Sequence, residues 1–122
     1  VTHAMLPLLR RSAAGRIVNV SSPLGSLQWR ANRQNPAPQP GLLAYNSSKA
    51  ALNALTLHYA NELRGTGILV NAANPGKVAT DLNRHTGERT VSQGAAIVVR
   101  LATLDALGPT GQFLGDDGPM PW

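Results

Sequence analysis

The chain has 122 residues, enough for one domain or part of one, and 43% of them are hydrophobic against 14% charged, a balance that excludes a disordered chain and implies much buried surface. Its net charge of +5 comes from eleven scattered basic residues, with Arg10-Arg11 the only adjacent pair, and aromatics make up 4%; the basic stripe with interleaved aromatics that marks a nucleic-acid binder is missing. Cysteine is absent, which excludes disulfides and thiolate metal sites, and no run approaches the ~18 apolar residues of a membrane helix.

Val1 to Arg10 reads as the end of an apolar helix. Gly15-Arg16-Ile17-Val18-Asn19-Val20 is a short β-branched run stopped by Ser21-Ser22-Pro23-Leu24-Gly25, the pattern of a buried strand bounded by turn formers. Gln28 to Gly41, with three prolines and little apolar content, reads as a loop, and loops of that length are usually functional or disordered. A helix is expected from about Leu43 to Arg64, where Ala51, Leu52, Leu55, Tyr59 and Leu63 form an apolar stripe at helical spacing. The small residues Ser47, Ala50 and Ala54 permit close approach to a neighbour. A second strand over 68–73 ends in Asn74-Pro75-Gly76, a strong turn signal. Asp81 is a candidate cap for a short helix after Thr80. Another helix should run from about Val91 to Leu104, with Thr90 or Ser92 near its start, and a last strand over Gln112-Phe113-Leu114. Strand, crossover helix and strand make a parallel βαβ unit. In open parallel sheets ligands bind outside the carboxyl ends of the strands, so Ser21-Ser22 and Pro75-Gly76 should line one crevice.

Tyr45 and Lys49 stand at i and i+4 near the start of the long helix, so their side chains share a face. A free phenol is a poor acid or base near neutral pH, and a fixed ammonium close by favours the phenolate. That is the tuning acid–base chemistry needs. The chain has only two tyrosines and two lysines. Taken alone, the pair also reads as an ordinary surface helix contact.

The motifs in sequence resemble those of the short-chain dehydrogenases/reductases, closest to the carbonyl-reductase-like members. The residues that carry the resemblance are Asn19-Val20-Ser21-Ser22, Ala44-Tyr45-Asn46-Ser47-Ser48-Lys49-Ala50-Ala51, Pro75-Gly76-Lys77-Val78-Ala79-Thr80-Asp81, and the closing Gly108-Pro109-Thr110-Gly111 to Pro121-Trp122. It covers essentially the whole chain. The resemblance implies an α/β fold, the C-terminal half of a Rossmann-like doubly wound parallel sheet with about three strands and three helices. It implies that residues 1–122 form the catalytic and substrate-side part of one NAD(P)-binding domain.

By the same resemblance, Tyr45 is the general acid that protonates a carbonyl oxygen as hydride arrives from a nicotinamide, and the base in reverse. Lys49 tunes Tyr45 and holds the nicotinamide ribose. Ser22 stabilises the charge developing on the substrate oxygen, while Ser21 reads as a strand-end cap. Pro75, Gly76, Val78 and Thr80 join Tyr45 and Lys49 as cofactor contacts, Thr80 at the carboxamide. Gly76 suits close backbone approach because it lacks a Cβ; a plain turn is its bland reading. A basic site favours NADP(H) over NAD(H). The implied substrate is a small-molecule carbonyl or alcohol, with no nucleic acid, membrane or metal involved, in a cytoplasmic protein.

Two departures from the family pattern stand out. Ser22 and Tyr45 are 23 positions apart, a longer gap than in most relatives, and the inserted segment can cover the usual dimer helices. Monomer and homo-oligomer therefore both stay open. Trp29 in that segment reads as a substrate-pocket cap or a packed anchor. Lys77 replaces a frequent aromatic and is expected to be solvated. The family's glycine-rich cofactor loop has no counterpart: Gly65-Thr66-Gly67 precedes a strand instead of following one, the wrong context for a phosphate turn, and reads as a helix C-cap and linker. The family's asparagine in the preceding helix is absent as well. The chain is thus expected to be the C-terminal half of a longer protein, inactive alone. The alternative is a non-catalytic remnant or scaffold that keeps the fold without the cofactor-binding half.

His3, His58 and His85 share no ligand spacing. His58 reads as a surface or packing residue, and His85 as a flap residue with substrate contact the lesser reading. Asn19-Val20-Ser21 and Asn46-Ser47-Ser48 match the glycosylation sequon, but the site they sit in explains them better. The 16–20 strand should leave one edge unpaired, and exposed edges invite aggregation. Residues 1–122 expressed alone are expected to be poorly soluble; a monodisperse, cooperatively unfolding sample would refute this.

Overall fold

The β-branched run Arg16–Val20 (β1) and the apolar run Leu69–Ala73 (β2) pair in parallel, with Arg16 opposite Leu69 and Val20 opposite Ala73. The structure, a computed structural model, describes residues 1–32, 34, 35 and 41–122. Phe113–Gly115 (β3) pairs in parallel with β2. Gly118–Pro119 (β4) then turns back antiparallel onto β3, giving the order β1-β2-β3-β4. The helices are Thr2–Leu9 (α1), Leu27–Ala31 (α2), Leu43–Glu62 (α3) and Val91–Ala102 (α4), with 3-10 turns over Pro23–Gly25 and Asp81–Asn83.

The sheet is covered on both faces. Ile17 packs with Val70, Ile68, Ala60, Leu63 and Leu6 against α1 and α3. Its neighbour Val18 packs on the opposite side with Ala73, Leu114, Ile97 and Leu101 against α4, as strand alternation requires. All five residues of β2 are buried, the signature of a strand covered on both faces. The strands advance one way across the sheet while α3 and α4 lie on opposite faces. The two crossovers therefore have opposite hands, and one runs against the strong right-handed preference.

Several expectations change. Gln28 to Gly41 is not all loop: Ser26, fully buried, accepts the Trp29 N–H at 2.9 Å and starts α2, an N-cap. Arg33 and residues 36–40 of that segment lie outside the described residues. The C-terminal strand gains an antiparallel partner in β4. On α3 the buried residues are Asn53, Thr56 and Ala60, not the whole expected stripe. Tyr59 and Leu63 pack in the core, but Leu55 is half-exposed and Ala51 is exposed. Small and polar residues face β1 because β1 offers polar partners at its carboxyl end. The start of α4 is set by Thr90, whose hydroxyl accepts the Gln93 N–H while Gln93 caps the Thr90 N–H in return, a capping box.

Asn71 is a buried polar residue in β2. It donates to the Pro109 carbonyl at 2.7 Å and accepts the Gln112 N–H at 3.0 Å, so it ties the loop before β3 to the middle of the sheet. Trp122 stacks on Phe113 with ring centroids 5.7 Å apart. Its carbonyl accepts the Gln28 N–H at 2.8 Å, which holds the C-terminal segment against the start of α2. β1 lies at one end of the strand order, with no partner on its outer edge among the described residues.

Candidate active site

β1 ends beside β2, and the Ser21 N–H continues the ladder by donating to the Ala73 carbonyl at 2.8 Å. Ser22 is extended and opens the Pro23–Gly25 turn, its hydroxyl accepting the Leu24 N–H at 3.2 Å. The cap is therefore Ser22, while the Ser21 hydroxyl donates to Asn53 of α3 at 2.5 Å. An oxygen that accepts locally still has its own proton to give, so Ser22 retains a donor.

α3 brings Tyr45 and Lys49 to the same end of β1. The Lys49 ammonium donates to the carbonyl of Val20, the last residue of β1, at 2.9 Å. It also lies 5.6 Å from the centroid of the Tyr45 ring, within cation–π range. Tyr45 is 38% exposed, so its ring is accessible from solvent. The serine turn is pressed against the same stretch of helix. A Cβ on Gly25 would sit 2.6 Å from both the carbonyl carbon and Cβ of Lys49 and 2.8 Å from the Ala50 nitrogen. Ser22, Tyr45 and Lys49 are thus gathered by one helix turn and one strand end, although Ser22 lies far from the helix in sequence.

The other segment that the sequence marks follows β2, the strand beside β1. Gly76 has φ +74, a left-handed conformation that favours glycine, and its N–H is capped by the Asn74 side chain at 3.0 Å. The close approach at this glycine comes from within the chain: a Cβ there would meet the Arg89 side chain at 2.6 Å. Arg89 is paired with Asp116 and donates to the Gln93 carbonyl at 2.8 Å, fastening the start of α4 and the β3–β4 turn over Gly76. Val78 turns its side chain against Gly94 of α4, where a Cβ would meet Val78 Cγ2. Thr80 precedes the 3-10 turn, and Asn83 secures it by accepting the Thr80 N–H at 3.2 Å and donating to the Val78 carbonyl at 2.7 Å. Lys77 is exposed, as expected.

Asp81 does not cap the flap. Its carboxylate meets His85 at 2.9 Å, and Arg84 and His85 both have positive φ, so this histidine is occupied within its own turn. His58 is exposed beside Glu62. The Trp29 carbonyl accepts from the Asn35 side chain at 2.6 Å, and Arg30 lies 5.9 Å from the Trp29 ring. Gly65 and Gly67 both have φ +78 with open space around them, the geometry of a linker. Among the described residues, no group of three or more metal-ligating side chains occurs, and no helix is long and apolar enough to cross a membrane.

The sequence reading missed Asn53, Thr56, Gly25 and Arg89. Asn53 and Thr56 continue the Tyr45 and Lys49 face at i+4 and i+7 from Lys49, a signal that helical periodicity carries. Arg89 had none, because its partners come from three separate segments.

Residues 1–91 match the family model described as short chain dehydrogenase. The chain belongs to that family. It is 34% identical to salutaridine reductase from Papaver somniferum, over 93% of this chain and 46% of that protein. Among solved structures it resembles the carbonyl reductase Sniffer of D. melanogaster, with 31% identity and a TM-score of 0.77, covering 99% of this chain and 51% of that one. It resembles NADPH-bound carbonyl reductase from chicken fatty liver similarly, with 32% identity, a TM-score of 0.78, and 99% and 51% coverage. The chain spans about half the length of the first curated relatives it matches. The short-chain dehydrogenase fold accounts for the half of a doubly wound sheet seen here.

Proposed function

We propose that the whole protein is an NAD(P)H-dependent oxidoreductase that reduces a small-molecule carbonyl, or oxidises the corresponding alcohol. Residues 1–122 would then be the catalytic and substrate side of one Rossmann-type nucleotide-binding domain. The observation that carries this reading is the meeting of Tyr45, Lys49 and the Ser22 turn at the carboxyl end of β1. A scaffold needs none of the three.

In this reading the residues after β1 and β2 would hold the nicotinamide end of such a cofactor. The Lys49 ammonium spends one of its three N–H groups on Val20, leaving two for ribose hydroxyls. Tyr45, Pro75, Gly76, Val78 and Thr80 would supply the remaining cofactor contacts. Val78 would contribute through its backbone, since its side chain packs on Gly94. The likeness to an NADPH-bound carbonyl reductase supports NADP(H) over NAD(H).

A reduced nicotinamide, when bound, supplies the hydride to the carbonyl carbon. This chain supplies the proton and the setting. Tyr45 gives its phenolic proton to the carbonyl oxygen as negative charge builds there. Ser22 donates its remaining O–H to the same oxygen, a contact that strengthens as charge develops. Lys49 keeps its ammonium 5.6 Å from the centroid of the Tyr45 ring.

The test is turnover of a panel of aldehydes and ketones by the whole protein with NADPH or NADH. Ser22→Ala is expected to lower kcat by about 10²–10³-fold, the usual cost of one oxyanion donor, with nucleotide affinity unchanged. A whole protein that binds neither nucleotide and reduces no carbonyl would sink the proposal in favour of a non-catalytic scaffold.

A further inference from the structure

Three polar residues of α3, Lys49, Asn53 and Thr56, fasten the successive residues Asn19, Val20 and Ser21 at the end of β1. Thr56 accepts from the Asn19 side chain at 2.9 Å while donating its own proton to the Leu52 carbonyl. Lys49 donates to the Val20 carbonyl. Asn53 accepts the Ser21 hydroxyl proton at 2.5 Å. The last of these is the most enclosed pair of side chains at the site, with Ser21 3% and Asn53 4% exposed.

The arrangement is uneconomical for simple packing. The Asn53 amide nitrogen is buried with no partner, and Asn53 lies beside a small, open, almost wholly apolar depression lined by Ala50, Ala54, Leu57 and Trp122. An unpaired buried amide costs stability, and alanine or serine would fill an α3 position at less cost. What asparagine adds is reach: its amide oxygen spans the gap from the helix to the hydroxyl at the end of β1.

That reach has a direct consequence for the neighbouring residue. Ser21 is fixed at both its N–H, by Ala73, and its hydroxyl, by Asn53. Ser22 follows at once and turns the chain into the Pro23–Gly25 segment. We propose that Asn53 is a positioning residue, which holds Ser21 through its amide oxygen and so sets where Ser22 presents its hydroxyl relative to Tyr45. Asn53 touches no reacting atom; it acts through Ser21. The proposal rests on the reading of Ser22 and Tyr45 as catalytic.

The test uses the whole protein, NADPH and the carbonyl it turns over fastest, with Asn53→Ala, Ser21→Ala, the double variant and Ser21→Thr. Misplacing one donor by a fraction of an ångström to an ångström is expected to lower kcat by about 10- to 100-fold, with NADPH affinity unchanged. Both single variants should show this loss, and the double should lose no more than the worse single, because the two act as one unit. Ser21→Thr keeps the hydroxyl and should retain most of the turnover. Wild-type kcat in Ser21→Ala, additive losses in the double, or a parallel loss of NADPH binding would overturn the proposal. If Asn53→Ala fails to fold, Ser21→Ala and Ser21→Thr decide by themselves, since they remove and restore the same hydrogen bond from the strand side. Tyr45→Phe run in parallel separates the two levels. Retained turnover there refutes the catalytic reading, whereas lost turnover there with an unaffected Ser21→Ala refutes only the positioning role.

Discussion

Replacing Tyr45 with phenylalanine is expected to lower carbonyl reduction by about 10²–10⁴-fold, the range a positioned general acid contributes. The substitution removes one oxygen and leaves the ring. Tyr45 is 38% exposed, so little packing changes and the fold should keep its stability. Lys49 should keep its bond to the Val20 carbonyl, because that contact does not involve the phenol. NADPH binding, followed by fluorescence titration, should therefore be almost unaffected while turnover collapses. Turnover equal to wild type in a folded Tyr45→Phe protein would defeat the mechanism outright. Loss of NADPH binding together with turnover would instead mean that the tyrosine serves mainly to seat the nucleotide.

Gly25→Ala is expected to be costly for a different reason. The added Cβ would lie 2.6 Å from backbone and Cβ atoms of Lys49 and 2.8 Å from the Ala50 nitrogen. These atoms belong to the middle of α3 and cannot swing aside as a flexible side chain does. Relief requires the serine turn and the helix to move apart. Overpacking of this kind costs about 1–3 kcal/mol, visible as a lower Tm in a thermal melt. The same displacement separates Ser22 from Lys49 and Tyr45, so kcat should fall as well. A Gly25→Ala protein with the wild-type Tm would show that the turn does not press on the backbone of α3.

The two tests probe different layers of one arrangement. Tyr45→Phe removes a proton donor from an intact frame, whereas Gly25→Ala keeps every donor and shifts the frame. The frame depends on a glycine because backbone meets backbone there. It is also polar where a core helix would ordinarily be apolar. Asn53 and Thr56 occupy the buried face of α3, and Leu55 is turned toward solvent. Periodicity alone favours the leucines, since a helix normally buries its apolar stripe. The end of β1, with Asn19 and Ser21 needing partners, decides otherwise. A buried hydroxyl without a partner costs more than a partly exposed leucine.

What the sequence by itself determined was local. Tyr45 and Lys49 share a face because α3 has helical spacing. β1 and β2 are strands because β-branched or apolar runs end in turn formers, and Gly76 takes positive φ because the turn demands it. The order of motifs was enough to identify the family. Tertiary structure alone decided which face of α3 packs on the sheet, that Ser21 belongs to Asn53, that Arg89 lies over Gly76, and that the two crossovers have opposite hands. Each of these joins residues far apart in the chain, and each outcome turns on which buried polar group finds a partner or which backbone can approach another. Such choices are made between surfaces, and a pattern read along one strand or helix holds only one of the two surfaces involved.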